Sequence, residues 1–557
     1  MKEGLFSQFI ENDDETSEDT EQEELFPDED STETEDSTET EEVDGLDEEQ
    51  DIEYLSENEE IHHVEENQKG EPEIRNDGKI YTNDDFVINS SDKFPRTTSM
   101  TLTKKQYNSV KKLEESDKKW FVSMDYSPTG EGKTVMTIAS AKAQALDIVL
   151  ICCPSATENW IRECGKYNVT LGPSFNYSHF SFISKSGGAT NAKEGSKVVR
   201  QLRHFFSEVR RADGITVHPT NNLIHLIDKG VLFVFDEVHC SKNFSALINQ
   251  YTQCIVRSVI YHCSKNKNCR TRARLLSATP CEKSSMVKNI LSLFGLESTL
   301  ENRNDPDENS LVLWKQAKNI FCSSVATEEK GKLQANIRLT TEFRDDLTNS
   351  SRSSIHSANI ASRMIKKLSN IDKNSKYLFI SFNTAPLNYL AGELSHLNPV
   401  INTGKTSKKK RIENIKNFQK PNNDCRLFVG QLQTCCESIN LHDVEVDQRN
   451  PNVVRRRWLF VCPCDQFVKM VQTFGRTSRH GTRSVPINVV INSSTYTERV
   501  SERTEEKTSV VSEMSNISNI PINFMNIRTN NVDDINFDDL QEKALSHFSI
   551  EDPVKTF

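Results

Sequence analysis

Four short segments hold most of the residues able to do chemistry: SPTGEGKT (127–134), DEVH (236–239), SATP (277–280) and QTFGRTSR (472–479). In the first, Gly130 and Gly132 let the backbone bend until successive N–H groups face one anion. Lys133 supplies a positive charge for the β and γ phosphates of a nucleotide, and the Thr134 hydroxyl is a ligand for Mg²⁺. Glu131 lies within the same loop, and the helix that follows favours the anion at its N-terminus. In the second segment Asp236 is the expected Mg²⁺ anchor, either as a direct ligand or through the ion's outer shell. Glu237 is the expected base that orients water toward the γ phosphate, with His239 placed to sense that phosphate. Ser277 and Thr279 are expected to couple this site to the rest of the body rather than to react. The similar tetrapeptide TGKT at 403–406 lacks the preceding loop and strand in this reading and is set aside as a decoy.

Positioning such groups requires strands that end where the loops begin. WFVSMDY (120–126), DIVLICC (147–153), VLFVF (231–235) and ARLLSA (273–278) are short, nearly continuous apolar runs, as expected of strands buried on both faces. KTVMTIASAKAQAL (133–146) reads as a helix between the first two. A second series follows in KYLFISF (376–382), CRLFVG (425–430), RWLFVC (457–462) and INVVI (487–491). The chain is thus expected to be α/β, with a domain over 91–295, a linker or insertion over 296–350, a second domain over 351–500 and a C-terminal extension over 501–557. Nucleotide chemistry divided between two such domains implies a cleft at their interface.

Charge is segregated. Of 82 acidic and 68 basic residues, 32 and 3 lie within 1–75, which leaves 50 and 65 for the remainder. Runs such as STETEDSTETEE repel themselves and hold few core formers, so 1–90 is expected to be a disordered acidic tail. The basic remainder suits a polyanionic partner, and the tail reads either as a solubilising segment or as one that binds basic partners or competes for the basic body. Glutamates three residues beyond Thr32 and Thr38 fit acid-directed phosphorylation.

Met1–Ile10 is polar and acidic, unlike a secretory leader, and no run reaches membrane-span length. The 14 scattered cysteines are therefore expected to be reduced thiols in an intracellular compartment. His262, Cys263 and Cys269, and likewise Cys462 and Cys464, lack a second ligand pair at zinc-finger spacing, so buried thiols are expected there. Two basic stretches, Lys408–Arg411 and Lys265–Arg274, read either as phosphate contacts or as solvated faces.

Taken in order, the segments resemble those of superfamily 2 DExH helicases and translocases over residues 97–500. Details resemble the Swi/Snf-like side, with strawberry-notch proteins and poxviral-type nucleoside triphosphatases. These are Leu102 with Gln106 upstream of the phosphate loop, CPSATENWIREC (153–164), DEVHCSKN with Lys242 and Asn243, and GKTSKKKRIENIKNF (404–418). Departures are Ser127 for the first loop glycine, SAT where remodellers carry a GT pair, and Ser438 in CCESINL for a glycine.

The resemblance implies two tandem RecA-like domains with parallel sheets and an interdomain nucleotide cleft, using ATP and Mg²⁺. It assigns adenine reading to Gln106, an arginine finger to Arg479, a γ-phosphate partner to Arg476 and a bridging role to Gln472. It also implies backbone contacts to nucleic acid by Ser381, Asn383, Thr384, Gln431 and Thr434. Double-stranded DNA is the preferred track and RNA the alternative, with transcription or replication proteins as partners and no membrane. A cytoplasmic or nuclear setting is expected, or a virion if the source is a large DNA virus. The reading from another class is a non-catalytic transcription scaffold that works through its acidic tail.

Overall fold

The computed structural model describes residues 100–127, 129–182, 197–211, 214–241, 247–279, 281, 286–294, 312, 314, 322–325, 334–421, 424–435, 441–443, 455–478, 482–515, 524–545 and 555–556. The chain divides into the units Met1–Lys79 and Ile80–Phe557, and every described residue belongs to the second. The acidic segment, Lys242, Asn243, Ser438 and Arg479 lie outside the described residues.

After a two-residue strand β1 (Thr101–Leu102), the helix Lys104–Lys119 opens with a reciprocal cap. Thr103 accepts from the Gln106 N–H, and the Gln106 side chain accepts from the Thr103 N–H. The first large sheet is built from β2 (Val122–Asp125), β3 (Asp147–Cys152), β4 (Leu171–Asn176), β7 (Val231–Asp236), β8 (Arg272–Leu276) and β9 (Cys322–Val325). A separate antiparallel hairpin, β5 (Phe206–Arg211) with β6 (Gly214–Pro219), interrupts the series. Order across the sheet is β4-β3-β7-β8-β2-β9, with all pairings parallel. β2, β3, β7 and β8 are almost wholly buried, as their continuous apolar runs require.

Seven strands form the second parallel sheet: β10 (Ala335–Arg344), β11 (Lys376–Ser381), β12 (Val400–Asn402), β13 (Leu427–Gln431), β14 (Arg457–Val461), β15 (Ile487–Ser494) and β16 (Met525–Arg528). Their order is β12-β13-β11-β14-β15-β10-β16. One face packs on the helix Ser350–Ile371 through residues such as Ile360, Met364 and Trp458, the other on Phe467–Thr477 through Met470 and Phe474. A last strand β17 (Lys555–Thr556) pairs antiparallel with β1. The architecture is α/β with two successive parallel sheets.

Three segments differ from the sequence reading. The range 296–350 supplies β9 to the first sheet and β10 to the second, because ANIRLTTEFR alternates in burial and reads as polar overall. The C-terminal range supplies β16, whose burial also alternates. TGKT at 403–406 does follow a strand, β12, although its helix starts only at Lys408.

Arg272 and Arg274 are structural, not part of a basic surface. Arg274 is fully buried and paired with Asp117, and its guanidinium also donates to Ser123 Oγ and Ser140 Oγ at 3.2 Å. That network ties together β2, β8 and the helices before and after the phosphate loop. Among the described residues no helix is long and apolar enough to cross a membrane.

Candidate nucleotide site

The site forms where β2, β7 and β8 end, at the carboxyl edge that open parallel sheets use for ligands. β2 runs out at Asp125, and Asp125 Oδ1 accepts the Ser127 N–H at 2.8 Å. Gly130 and Gly132 both have φ of 91°, the left-handed turn that admits glycine without strain. At Gly132 any Cβ would sit 2.6 Å from Gln106 Nε2. The helix Lys133–Ala143 starts immediately after that glycine, so its first N–H groups and Lys133 face the loop. Lys133 Nζ donates to the Ser127 carbonyl at 2.8 Å, spanning the loop from one end to the other.

Gln106 lies in the site but with both ends of its amide engaged. Its Oε1 accepts from Thr103 N, and its Nε2 donates to the Glu131 carbonyl at 2.9 Å. In this arrangement it holds the phosphate loop against the preceding helix, with one lone pair and one N–H of its amide spent on these two bonds. Glu131 itself is buried, 2 % exposed.

β7 delivers the two carboxylates. Glu237 has φ of 58°, an uncommon conformation for a residue with a side chain, and it turns the chain sharply off the strand. Burial and the adjacent Glu237 push the Asp236 carboxyl up, while Trp160, Lys133 and Arg476 draw it back in part. Burial also acts upward on Glu237, but the hydrogen bond and charge of His239, with Lys133 and Arg476, outweigh it and hold Glu237 ionised. Burial lowers His239, yet its bonds to Cys240 and Glu237 prevail and raise it to about 10. His239 Nδ1 lies 3.3 Å from both Glu237 Oε2 and Ser277 Oγ. Ser277 N in turn donates to the Asp125 carbonyl at 3.2 Å, and Thr279 N to Ser277 Oγ at 3.1 Å. SATP therefore joins the end of the phosphate-loop strand to the DEVH box.

The second α/β series reaches this site through the helix Phe467–Thr477. Gly475 abuts the phosphate loop so closely that a Cβ there would lie 2.5 Å from Thr129 Cβ. Arg476 is the next residue, and its charge is felt by both Asp236 and Glu237. Gln472, one turn earlier, is buried. The structure thus brings together Gln106, Gly130, Glu131, Gly132, Lys133, Asp236, Glu237, His239 and Arg476, with Thr134 in the first turn of the loop helix. Sequence reading singled out Trp160 only as part of the segment 153–164 and missed both its bond to Asp236 and the contact of Thr129 with Gly475, since these partners are distant in the chain.

The donor set fits Mg²⁺. A hydroxyl and a carboxylate are hard oxygen donors, and among the described residues no group of three His, Cys, Asp or Glu could cage a metal. An ion here would complete its shell with phosphate oxygens and water.

Of the residues expected to touch nucleic acid, Thr384 is exposed, Asn383, Gln431 and Thr434 are half-buried, and Ser381 is buried. Ser381 ends β11 at 1 % exposure, so its hydroxyl is not offered at the surface, a correction to the sequence reading. Asn383 Nδ2 donates to Ser350 Oγ at 3.1 Å. Gln431 Oε1 accepts the Gly404 N–H at 2.9 Å, and Thr434 Oγ1 donates to the Gln431 carbonyl at 2.9 Å. Gln431 thereby braces the loop 403–407, and the helix that follows carries the exposed Lys409 and Lys410.

No protein-family model matches the chain. No curated protein sequence matches it either. Among solved structures it is similar to Saccharomyces cerevisiae Dbp5 bound to RNA and ADP BeF3, at 10 % identity and a TM-score of 0.41, over 80 % of this chain and 97 % of that one. A point variant of Dbp5 with the same ligands gives 11 % identity and the same TM-score, over 80 % and 98 % of the two chains. That likeness concerns the trace of the chain, and the functional reading rests on the residues above.

Proposed function

We propose that this protein is an ATP-dependent nucleic-acid translocase or helicase, with hydrolysis at a site completed by both α/β series. The observation that carries the reading is the approach of Gly475 and Arg476 to Thr129 and to the Asp236–Glu237 pair. A phosphate loop alone serves many enzymes. A second sheet that sends a glycine against that loop and an arginine to its carboxylates suits an enzyme whose two halves close and part with each nucleotide.

In this mechanism the loop amides and Lys133 hold the β and γ phosphates, the ammonium exchanging the Ser127 carbonyl for phosphate oxygen. Mg²⁺, arriving with the nucleotide, would be held by Thr134 and Asp236 and would neutralise phosphate charge. Glu237, kept ionised beside His239, accepts a hydrogen bond from the attacking water and orients it. Arg476, joined by Arg479, stabilises charge that develops on the γ phosphate. Ser277 and His239 carry the change at the phosphate toward the body of the protein, and repeated closure moves the track. Double-stranded DNA is the proposed track, on the Swi/Snf-like sequence details, with a role in transcription.

Steady-state ATP hydrolysis, alone and with double-stranded DNA, single-stranded DNA or RNA, tests the reading. Expected is turnover stimulated most by double-stranded DNA and abolished by Glu237→Gln. Preferential stimulation by RNA would reassign the track. Equal turnover by wild type and Glu237→Gln would remove the enzymatic reading in favour of a scaffold.

A further inference from the structure

Trp160 is fully buried, yet its one polar atom is spent on the hydrolytic site: indole Nε1 donates to Asp236 Oδ2 at 2.7 Å. An indole is a donor only, so the bond has one sense, and Asp236 Oδ2 is its acceptor. The partners lie 76 residues apart and are carried by neighbouring pieces of the fold. The helix Pro154–Tyr167 leaves the end of β3, and β3 pairs with β7, which ends in Asp236.

That helix has a defined start and stop. Pro154 occupies its first turn, where proline is pre-set for helix, and Asn168 closes it in the left-handed conformation, its N–H on the Cys164 and Gly165 carbonyls. Around the ring, Trp160 belongs to the same core cluster as Ile148, Leu150, Leu232 and Val234 from β3 and β7. The indole therefore has little freedom to follow Asp236. It is Asp236 that must conform to the indole.

We propose that Trp160 is a positioning residue, whose N–H fixes the rotamer of Asp236 so that its other oxygen is presented to the cation that accompanies the nucleotide. This rests on the reading of Asp236 as a Mg²⁺ anchor. A carboxylate without that bond samples several orientations, and the ion must then order it on binding. Partners of this kind, which touch the ligating group and not the metal, typically contribute roughly 10- to 100-fold to metal affinity. Trp160 touches neither nucleotide nor water in this scheme, so its loss appears first in the Mg²⁺ requirement.

The test uses the full chain and binding without turnover. A fluorescent, non-hydrolysable ATP analogue is titrated at a series of Mg²⁺ concentrations against wild type, Trp160→Phe and Trp160→His. Phenylalanine keeps an aromatic ring without the donor, whereas histidine keeps a ring N–H. Expected is a midpoint in Mg²⁺ raised roughly 10-fold or more in Trp160→Phe. Analogue affinity in EDTA should be unchanged, and the Trp160→His midpoint should lie between the two.

A wild-type measurement stands beside these variants in case they fold poorly. The chain has four tryptophans, and one indole N–H resonance of ¹⁵N-labelled protein should move when Mg²⁺ is added to the analogue complex. An unchanged Mg²⁺ midpoint in a folded Trp160→Phe would overturn the proposal and leave the indole as core packing. So would four indole resonances indifferent to Mg²⁺. If wild type binds no analogue at any Mg²⁺ concentration, the nucleotide-site reading falls and takes this one with it. Binding that is tight but independent of Mg²⁺ removes the positioning role alone.

Discussion

Replacing Gly475 by alanine adds one methyl group where the second series meets the phosphate loop. That carbon would lie 2.5 Å from Thr129 Cβ, nearer still to Thr129 Oγ1, and 3.3 Å from the Thr129 backbone carbonyl carbon. Ordinary carbon contacts are about 3.5–4.0 Å, so something must move by roughly 1 Å. Overpacking of this size typically costs about 1–3 kcal/mol. In a core that cost would fall on folding. On the proposed mechanism the two halves of the site part and close with each nucleotide, so the cost falls on the closed arrangement in which hydrolysis would occur.

At 1.36 kcal/mol per decade, kcat/KM for ATP should fall by roughly 5- to 150-fold. The helix Phe467–Thr477, meanwhile, exchanges glycine for alanine in its interior, a gain of about 0.5–1 kcal/mol. Thermal melting should therefore stay level or rise while turnover falls. Removing the opposing side chain in Thr129→Gly/Gly475→Ala should restore part of the loss, and the double-mutant cycle measures the coupling. Gly475→Ala with wild-type kcat/KM, or with activity lost only in step with melting temperature, would refute the reasoning.

Two further consequences concern other parts of the molecule. Cys153 and Cys240 hold their sulfurs 3.5 Å apart, and hydrogen bonds from Cys153 and His239 outweigh burial to keep the Cys240 thiol low. A mild disulfide-forming oxidant such as diamide should therefore join these two before the buried cysteines and slow ATP turnover, reversed by dithiothreitol and absent in Cys153→Ser. Peptide mapping that finds a different pair would contradict this. Lys376 is buried with its ammonium on the Phe418 and Lys420 carbonyls, and burial, then the Arg457 charge, lowers it to about 7. An unfolded lysine stays protonated to pH above 10, so the folded state binds fewer protons at Lys376 above about pH 7 and this group's contribution to stability should rise with pH there. His239, raised to about 10, acts in the opposite sense over the same range. The Lys376 contribution is therefore read by chemical denaturation from pH 7 to 9 as the difference in slope between wild type and Lys376→Met, approaching about 1.4 kcal/mol per pH unit; equal slopes would show that Lys376 contributes nothing.

Much of the fold could be read along the chain because both sheets are parallel and covered on both faces. Strands such as VLFVF and KYLFISF must then be apolar throughout, and they stand out against polar loops. β10 and β16 escaped because their burial alternates within polar surroundings, where pattern alone does not separate strand from linker. The phosphate loop and the DEVH box were legible because each packs its chemistry into a few consecutive residues. Contacts between distant segments were not. Trp160 to Asp236 and Gly475 to Thr129 depend on which strands are neighbours, and no local period encodes that. Ser381 illustrates the opposite error: its motif position suggested a surface donor, but as the last residue of a fully buried strand its hydroxyl is enclosed.

The claim at the centre of this account is that residues of the second series complete a catalytic site built on the first. It is tested most directly by ATP turnover of Arg476→Ala beside Lys133→Ala, in the presence of the most stimulating polynucleotide. Lys133→Ala should lose nucleotide binding and turnover together. Arg476→Ala should bind the nucleotide nearly as wild type does yet turn it over roughly 10³-fold more slowly, as expected of an arginine that acts on transition-state charge. Wild-type turnover by a folded Arg476→Ala would contradict the claim and confine the chemistry to the first sheet.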